Sequence, residues 1–207
     1  MCSFIDSLYC EKLREYIKKP LVIKINEDEF AVRIDNQSSF VIKRTISFDQ
    51  ELYSIFYMER GTERLLDSSL ELKRIKKSFA IKLKTAYTDR PIYENRKLFD
   101  KIKDHEDFVR LIRNTFDKKL YSIGHKEYDK LSIIHDDMVY KIYILISGNS
   151  EKLLDEKTNM YEAYLSLYNY LIYYDHYSKL ITEYEKIFND HYPTAKEILE
   201  YIDFPVM

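Results

Sequence analysis

Residues 164–177 read YLSLYNYLIYYDHY, six tyrosines in fourteen positions. Each tyrosine carries a large apolar ring and a hydroxyl that needs a partner. Such a run serves a core, a docking surface or a stack for nucleic-acid bases. A second segment, KRIKKSFAIKLK (73–84), holds Lys73, Arg74, Lys76, Lys77, Lys82 and Lys84 without one acid. A row of cations reads as a solvated face, as a guard on a sheet edge or as a grip on phosphates. At its start, Glu71 and Lys73 are two positions apart, a spacing that sets an acid and an amine on one face of a strand. Asp49 lies 22 residues before Glu71.

Asp49, Glu71 and Lys73, following a helix, resemble the PD-(D/E)xK nucleases over residues 1–87. The resemblance implies that the two acids hold Mg or Mn and that Lys73 orients the attacking water. The Lys73–Lys84 row would then hold the nucleic-acid backbone. Phe48, not proline, precedes Asp49, a departure from the family pattern. No other residue set suggests a cofactor or a catalytic centre. The five histidines are scattered, and adjacent positions in HDD (135–137) diverge by about 100° on a helix, too far to share one ion. Cys2 and Cys10 form neither a CxxC pair nor a zinc pattern, and there is no glycine-rich phosphate loop, GxSxG or HExxH.

Charge bears on the partner. The chain is close to neutral at −2, but residues 1–90 carry +3, residues 91–207 carry −5 and residues 151–207 alone −6 with no arginine. A base-stacking platform comes with a basic groove, so this acidic surround argues against nucleic acid at the tyrosines. Ten Asn and Gln against 68 charged residues match either a hot environment or an AT-rich genome. The N-terminus lacks a signal-peptide pattern, and the longest uncharged run, 163–174, is twelve residues where a membrane span needs about 20. These features predict a soluble, intracellular (cytoplasmic) protein with no membrane partner.

The elements that must position these residues follow from hydrophobic period. Ser3 can cap a helix with Ile5, Leu8, Tyr9, Leu13, Tyr16 and Ile17, ended by Pro20. LVIKI (21–25), FAVRI (30–34), FVIKRTISF (40–48) and LYSIFYM (52–58) alternate as strands, with Phe40, Ile42, Ile46 and Phe48 on one face. LELKRI (70–75) and FAIKLKTAY (79–87) suggest a further hairpin. Asp104 can cap a helix through Phe108, Ile112 and Leu120 that ends at Gly124. Steps of three and four favour a helix over 126–147 ending at Gly148, with a hairpin as the alternative. Ser150 can begin a helical region that reaches about residue 190, Pro193 breaks it, and TAKE (194–197) is a capping box. No internal repeat is visible.

The expected fold is α+β. An N-terminal helix and a curved antiparallel sheet of about five or six strands occupy 1–90, and a bundle of four or five helices occupies 91–207, the two regions sharing one core or not. On the tyrosine helix, Tyr164, Leu165, Leu167, Tyr168, Leu171 and Ile172 fill a core arc, and the helix is expected to bend or end near Asp175. Tyr170, Tyr173, Tyr174 and Tyr177 fill a second arc, read as further core or as an interface. The functional expectation is a non-catalytic interaction module, an adaptor or inhibitor such as a viral or mobile-element accessory protein. It binds a protein partner or a second copy as a homodimer through that second arc, and needs no cofactor. The alternative is the Mg- or Mn-dependent nuclease, or a nucleic-acid-binding protein using the N-terminal sheet.

Overall fold

The computed structural model describes residues 4–88, 99–146, 150–191 and 195–202. The chain divides into two compact units, 1–90 with 183–191 and 91–182 with 192–207. The expected roles of Pro91, Gly148, Pro193 and Thr194 fall outside the described residues, as does Ser3 itself, while the cap expected at Ser3 is corrected to Asp6, with Ile5 ahead of the helix.

In the first unit, α1 (Ser7–Ile17) starts at Asp6, whose side chain accepts the Tyr9 N–H at 2.7 Å. It ends at Lys18, which takes the left-handed conformation. Strands β1 (Val22–Ile25), β2 (Glu29–Arg33), β3 (Ser38–Ser47), β4 (Gln50–Glu59) and β5 (Thr62–Ser69) form an antiparallel meander in sequence order. β4 turns into β5 through Arg60 and Gly61, both with positive φ as a two-residue hairpin turn requires. Helix α2 (Leu72–Tyr87) follows, and it corrects the expected hairpin over 70–87. Leu72, Ile75, Phe79 and Leu83 lie three to four apart, on one helical stripe. The alternation of Phe79, Ile81 and Leu83 looked like a strand because this part of the helix is buried on more than one side, with Ala80 and Ile81 also enclosed. β5, which carries TERLLDSS, was not expected. The core joins Tyr9, Leu13 and Tyr16 of α1, Ile75, Phe79 and Leu83 of α2, and the inner sheet face of Phe30, Val32, Phe40, Ile42 and Ile55.

The second unit holds α3 (His105–Thr115), β6 (Tyr121–Ile123), β7 (Leu131–Asp136), β8 (Val139–Ile146), β9 (Ser150–Lys157), α4 (Met160–Phe188) and α5 (Ala195–Tyr201). The last six residues of α4, 183–188, belong to the first unit. Its strands form a four-stranded sheet in which β6 pairs β7 parallel and the rest are antiparallel. Two expectations fail here. Within 126–147, Leu131–Ile146 forms the β7–β8 hairpin, and Ser150 opens a strand, so the region is a sheet with three described helices, not a bundle of four or five. Leu131, Ser132 and Ile133 are buried in succession, as in a strand enclosed on both faces; that is a pattern helical spacing mimics. α3 also stops at Thr115, before Leu120, and Gly124 follows β6 instead of ending a helix. α4 neither bends nor stops at Asp175, which pairs with Lys179 one turn on at 2.5 Å.

The two units repeat one plan, against the expectation from sequence. The series β3–β4–β5–α2 returns as β7–β8–β9–α4. In each, the register slips at one bulge: Ile55 faces Asp67 while Phe56 faces Leu65, and Ile142 faces Asp155 while Tyr143 faces Leu153. Asp67 and Asp155 each accept the next residue's N–H at 2.8 Å. Ile75, Phe79 and Leu83 of α2 correspond to the buried Ala163, Leu167 and Leu171 of α4. Asp6 and Asp104 cap the preceding helices in the same way, ahead of buried Tyr9 and Leu13 in one and Phe108 and Ile112 in the other. ERLLD (63–67) and EKLLD (151–155) are the trace left in the sequence.

The basic row lies on α2, and acids at the end of α4 answer it within the first unit. Lys77 is enclosed with Glu185 at 2.9 Å and Asp190 at 3.8 Å. Lys73 meets Asp190 at 2.8 Å, and Lys84 meets Glu183 at 3.6 Å while donating to the Tyr16 carbonyl. Removing one partner of an enclosed pair strands the other charge, at about 3–5 kcal/mol, whereas replacing both by apolar groups is often neutral. We expect Lys77→Met to destabilise by about 3 kcal/mol in denaturant unfolding and Lys77→Met/Glu185→Leu to restore most of that. Burial alone would raise the Asp190 pKa, but hydrogen bonds from Lys73 and His191 and the charge of Lys77 bring it down to about 2. A carboxylate lowered on folding adds stability above its ordinary pKa, lost as pH falls toward the lowered value. Between pH 4 and pH 2, wild type should therefore lose more unfolding free energy than Asp190→Asn, a comparison that urea titrations at each pH will make.

Candidate interaction surface

The residues singled out from sequence do not converge. Glu71 is the N-cap of α2 and Lys73 lies in its first turn, so no strand face joins them. Asp49 sits in the β3–β4 turn, while Glu71 follows Ser69, which pairs with Tyr53 four residues further along β4. At about 3.4 Å per residue, that is about 13 Å of strand. Among the described residues no three acids, histidines or cysteines gather to hold a metal. Of the six basic residues proposed to grip phosphate, Lys73, Arg74, Lys76, Lys77 and Lys84 all face carboxylates, Arg74 on Asp67 and Lys76 on Asp6. No described helix is long and apolar enough to cross a membrane.

The second tyrosine arc is mostly interior. Tyr174 is 1% exposed and donates to the Asp129 carbonyl at 3.0 Å, and Tyr170 is 7% exposed and donates to the Leu154 carbonyl at 3.4 Å. Burial pushes the Tyr174 phenol up, beyond the tyrosine range, and raises Tyr170 as well. Tyr173 and Tyr177 are half-buried. α4 needs rings on both sides because it is covered on both, and the hydroxyls of Tyr170 and Tyr174 find backbone carbonyls while that of Tyr164 meets His105 Nδ1.

Exposed apolar surface lies elsewhere, on the β3–β4 hairpin. β2 pairs β3 only as far as Lys43, and β5 pairs β4 only from Tyr53, so the pairs Thr45–Leu52, Ile46–Glu51 and Ser47–Gln50 extend past both neighbours. They form an arm of about 10 Å. Its turn is Phe48–Asp49, with φ of 48° and 62°. A two-residue turn of this hand favours Asn-Gly or Asp-Gly, and a bulky residue at positive φ is strained. Phe48 is nevertheless 100% exposed, beside Ile46 at 61% and Leu52 at 39%. The expectation that Phe48 lies on a strand face is thus corrected; no Gly or Asn stands at 48–49 to mark a turn. The second unit has a turn of the same hand without a projecting arm, since β9 pairs β8 as far as Tyr140. Its β7–β8 turn, Asp137–Met138, has φ of 44° and 72°, and Met138 is 81% exposed.

The root of the arm is rigid. Arg44 donates from Nε and Nη2 to Asp28 at 3.1 and 3.0 Å, from Nη2 to the Glu27 carbonyl at 3.2 Å, and from Nη1 to Glu51 at 3.4 Å. The hydrogen bond to Asp28 raises the Arg44 pKa. Tyr53 donates to Glu51, and burial together with that carboxylate pushes the phenol up to about 12. Glu27, Asp28, Asp49 and Glu51 against Arg44 leave the arm with an acidic surround.

No family model, curated protein or solved structure matches the chain.

Because Phe48 is strained and touches nothing, the fold should not depend on it. Phe48→Asn should unfold at the same denaturant midpoint as wild type or gain up to about 1 kcal/mol, Asn being favoured at this turn position. A loss above 1 kcal/mol would mean that Phe48 packs against the protein after all.

Proposed function

We propose that the chain is a protein-interaction module whose docking element is the β3–β4 arm. The observation that carries this reading is the fully exposed Phe48, held at strained φ on a projecting turn and echoed by Met138 on the equivalent turn. Backbone strain kept where it adds nothing to packing points to a use outside the fold. A rigid aromatic at the centre of a small apolar patch is the usual anchor of a protein interface. The occupant we favour is a partner protein with an apolar pocket and a basic rim, because the arm's surround is acidic. Two arms placed face to face would set Asp49 and Glu51 against their own copies, which disfavours a symmetric dimer through this element. The tyrosine arc keeps a supporting role, stiffening α4 from inside.

A photo-crosslinking amino acid at position 48, with one at the exposed Lys152 as control, tests the reading in the source cells. A protein captured from position 48 alone should bind purified wild type and bind Phe48→Asn about 10- to 100-fold more weakly, the equivalent of burying one phenyl ring. Equal capture from both positions, or equal binding of wild type and Phe48→Asn, would remove the arm as the docking element.

A further inference from the structure

The second unit contains a feature that the interaction reading does not use. An open cleft of about 770 Å³ runs along α3 and the β6–β7 segment. α3 turns Phe108 and Ile112 inward, which leaves Arg110 and Arg113, three apart, on its cleft side. Lys118 and Lys130 complete a wall of four cations.

The floor is fixed by Glu127. Its carboxylate accepts from Ser122 Oγ at 3.0 Å, from His125 Nε2 at 2.7 Å and from Lys130, while its own N–H donates to Ser132 Oγ at 3.3 Å. Hydrogen bonds from Lys130 and Ser122 take Glu127 down to about 2, so it stays ionised at any working pH and is fully engaged inside the floor. Lys130 is therefore largely neutralised. Arg113 and Lys118 have no carboxylate within 4 Å among the described residues, and Arg110 has only Asp107 at 3.7 Å. Glu106 lines the cleft as well, so four cations stand against two acids, and the positive excess gathers in a cavity whose size suits a small ligand. This contrasts with α2, where acids answer five of the six cations.

We propose that this cleft binds a small molecule carrying two or more phosphate groups. Arg110 and Arg113 would hold phosphate oxygens through their planar N–H forks, and Lys118 would add a point charge. A nucleic-acid strand is the weaker fit, because Tyr121, the one tyrosine of the wall, is 8% exposed, and the other rings lining the cleft are the imidazoles of His105 and His125, of which His125 is bonded to Glu127. The inference is independent of the arm, which belongs to the other unit.

Calorimetric titration with inorganic tripolyphosphate at constant ionic strength tests it. Wild type should show one saturable site. Arg110→Gln/Arg113→Gln, with unchanged circular dichroism, should bind at least tenfold more weakly. Lys24→Gln/Arg64→Gln, two exposed cations of the five-stranded sheet, controls for net charge and should bind as wild type does. Non-saturating heats, equal affinity in all three proteins or tighter binding of a twelve-nucleotide single strand would each overturn the proposal.

Discussion

Lys77 keeps its ammonium inside the first unit only because Glu185 and Asp190 enter with it. An enclosed ammonium without a partner is costly enough to disrupt a domain of this size. The pairing therefore fixes the end of α4 against α2 and brings Tyr184 and Phe188 into the core of α1 and the sheet. It also explains the uneven charge of the chain. The basic excess before residue 90 and the acidic excess after 150 are in part the two sides of one internal network, not two surfaces awaiting partners. A segment such as KRIKKSFAIKLK reads as a phosphate grip while Glu185 and Asp190 lie more than 100 residues away, and it stops reading so once they are beside it.

The repeated plan shows which features the fold needs. Both units keep a bulge with an aspartate at the same place, a capped helix before the sheet and a buried helical stripe after it. The side chains that satisfy these demands differ: Phe79 corresponds to Leu167, and Ala80 to Tyr168. A core position asks for volume and apolarity, and many residues meet that. Each unit also carries a large exposed apolar residue on its β-turn, Phe48 at the first turn position and Met138 at the second. On the proposed reading, that exposure serves contact with a partner.

The cations of the two units differ in a similar way. On α2 they are matched and partly enclosed, so they hold the unit together. On α3 they stand along a cleft where Glu127 is committed to the floor and Glu106 is the other acid of the lining. Clusters of lysine and arginine therefore mean different things, and the nearest acid decides which.

Much of this protein was fixed by its sequence. Local period and capping residues determined α1, the first four strands, the start of α3 at Asp104, the long tyrosine helix and the mixed α+β class, because those signals act within a few residues. Tertiary structure decided the rest. α2 resembled strands because burial on several sides filled the gaps in its helical pattern, and β7–β8 resembled a helix because enclosure on both faces removed strand alternation. The tyrosines at 170 and 174 could be assigned to the interior only once the carbonyls of Leu154 and Asp129 were seen to receive their hydroxyls. Asp49, Glu71 and Lys73 fell apart as a site for the same reason: a spacing along the chain has chemical meaning only on the element that carries it, and that element is selected by contacts far away in sequence.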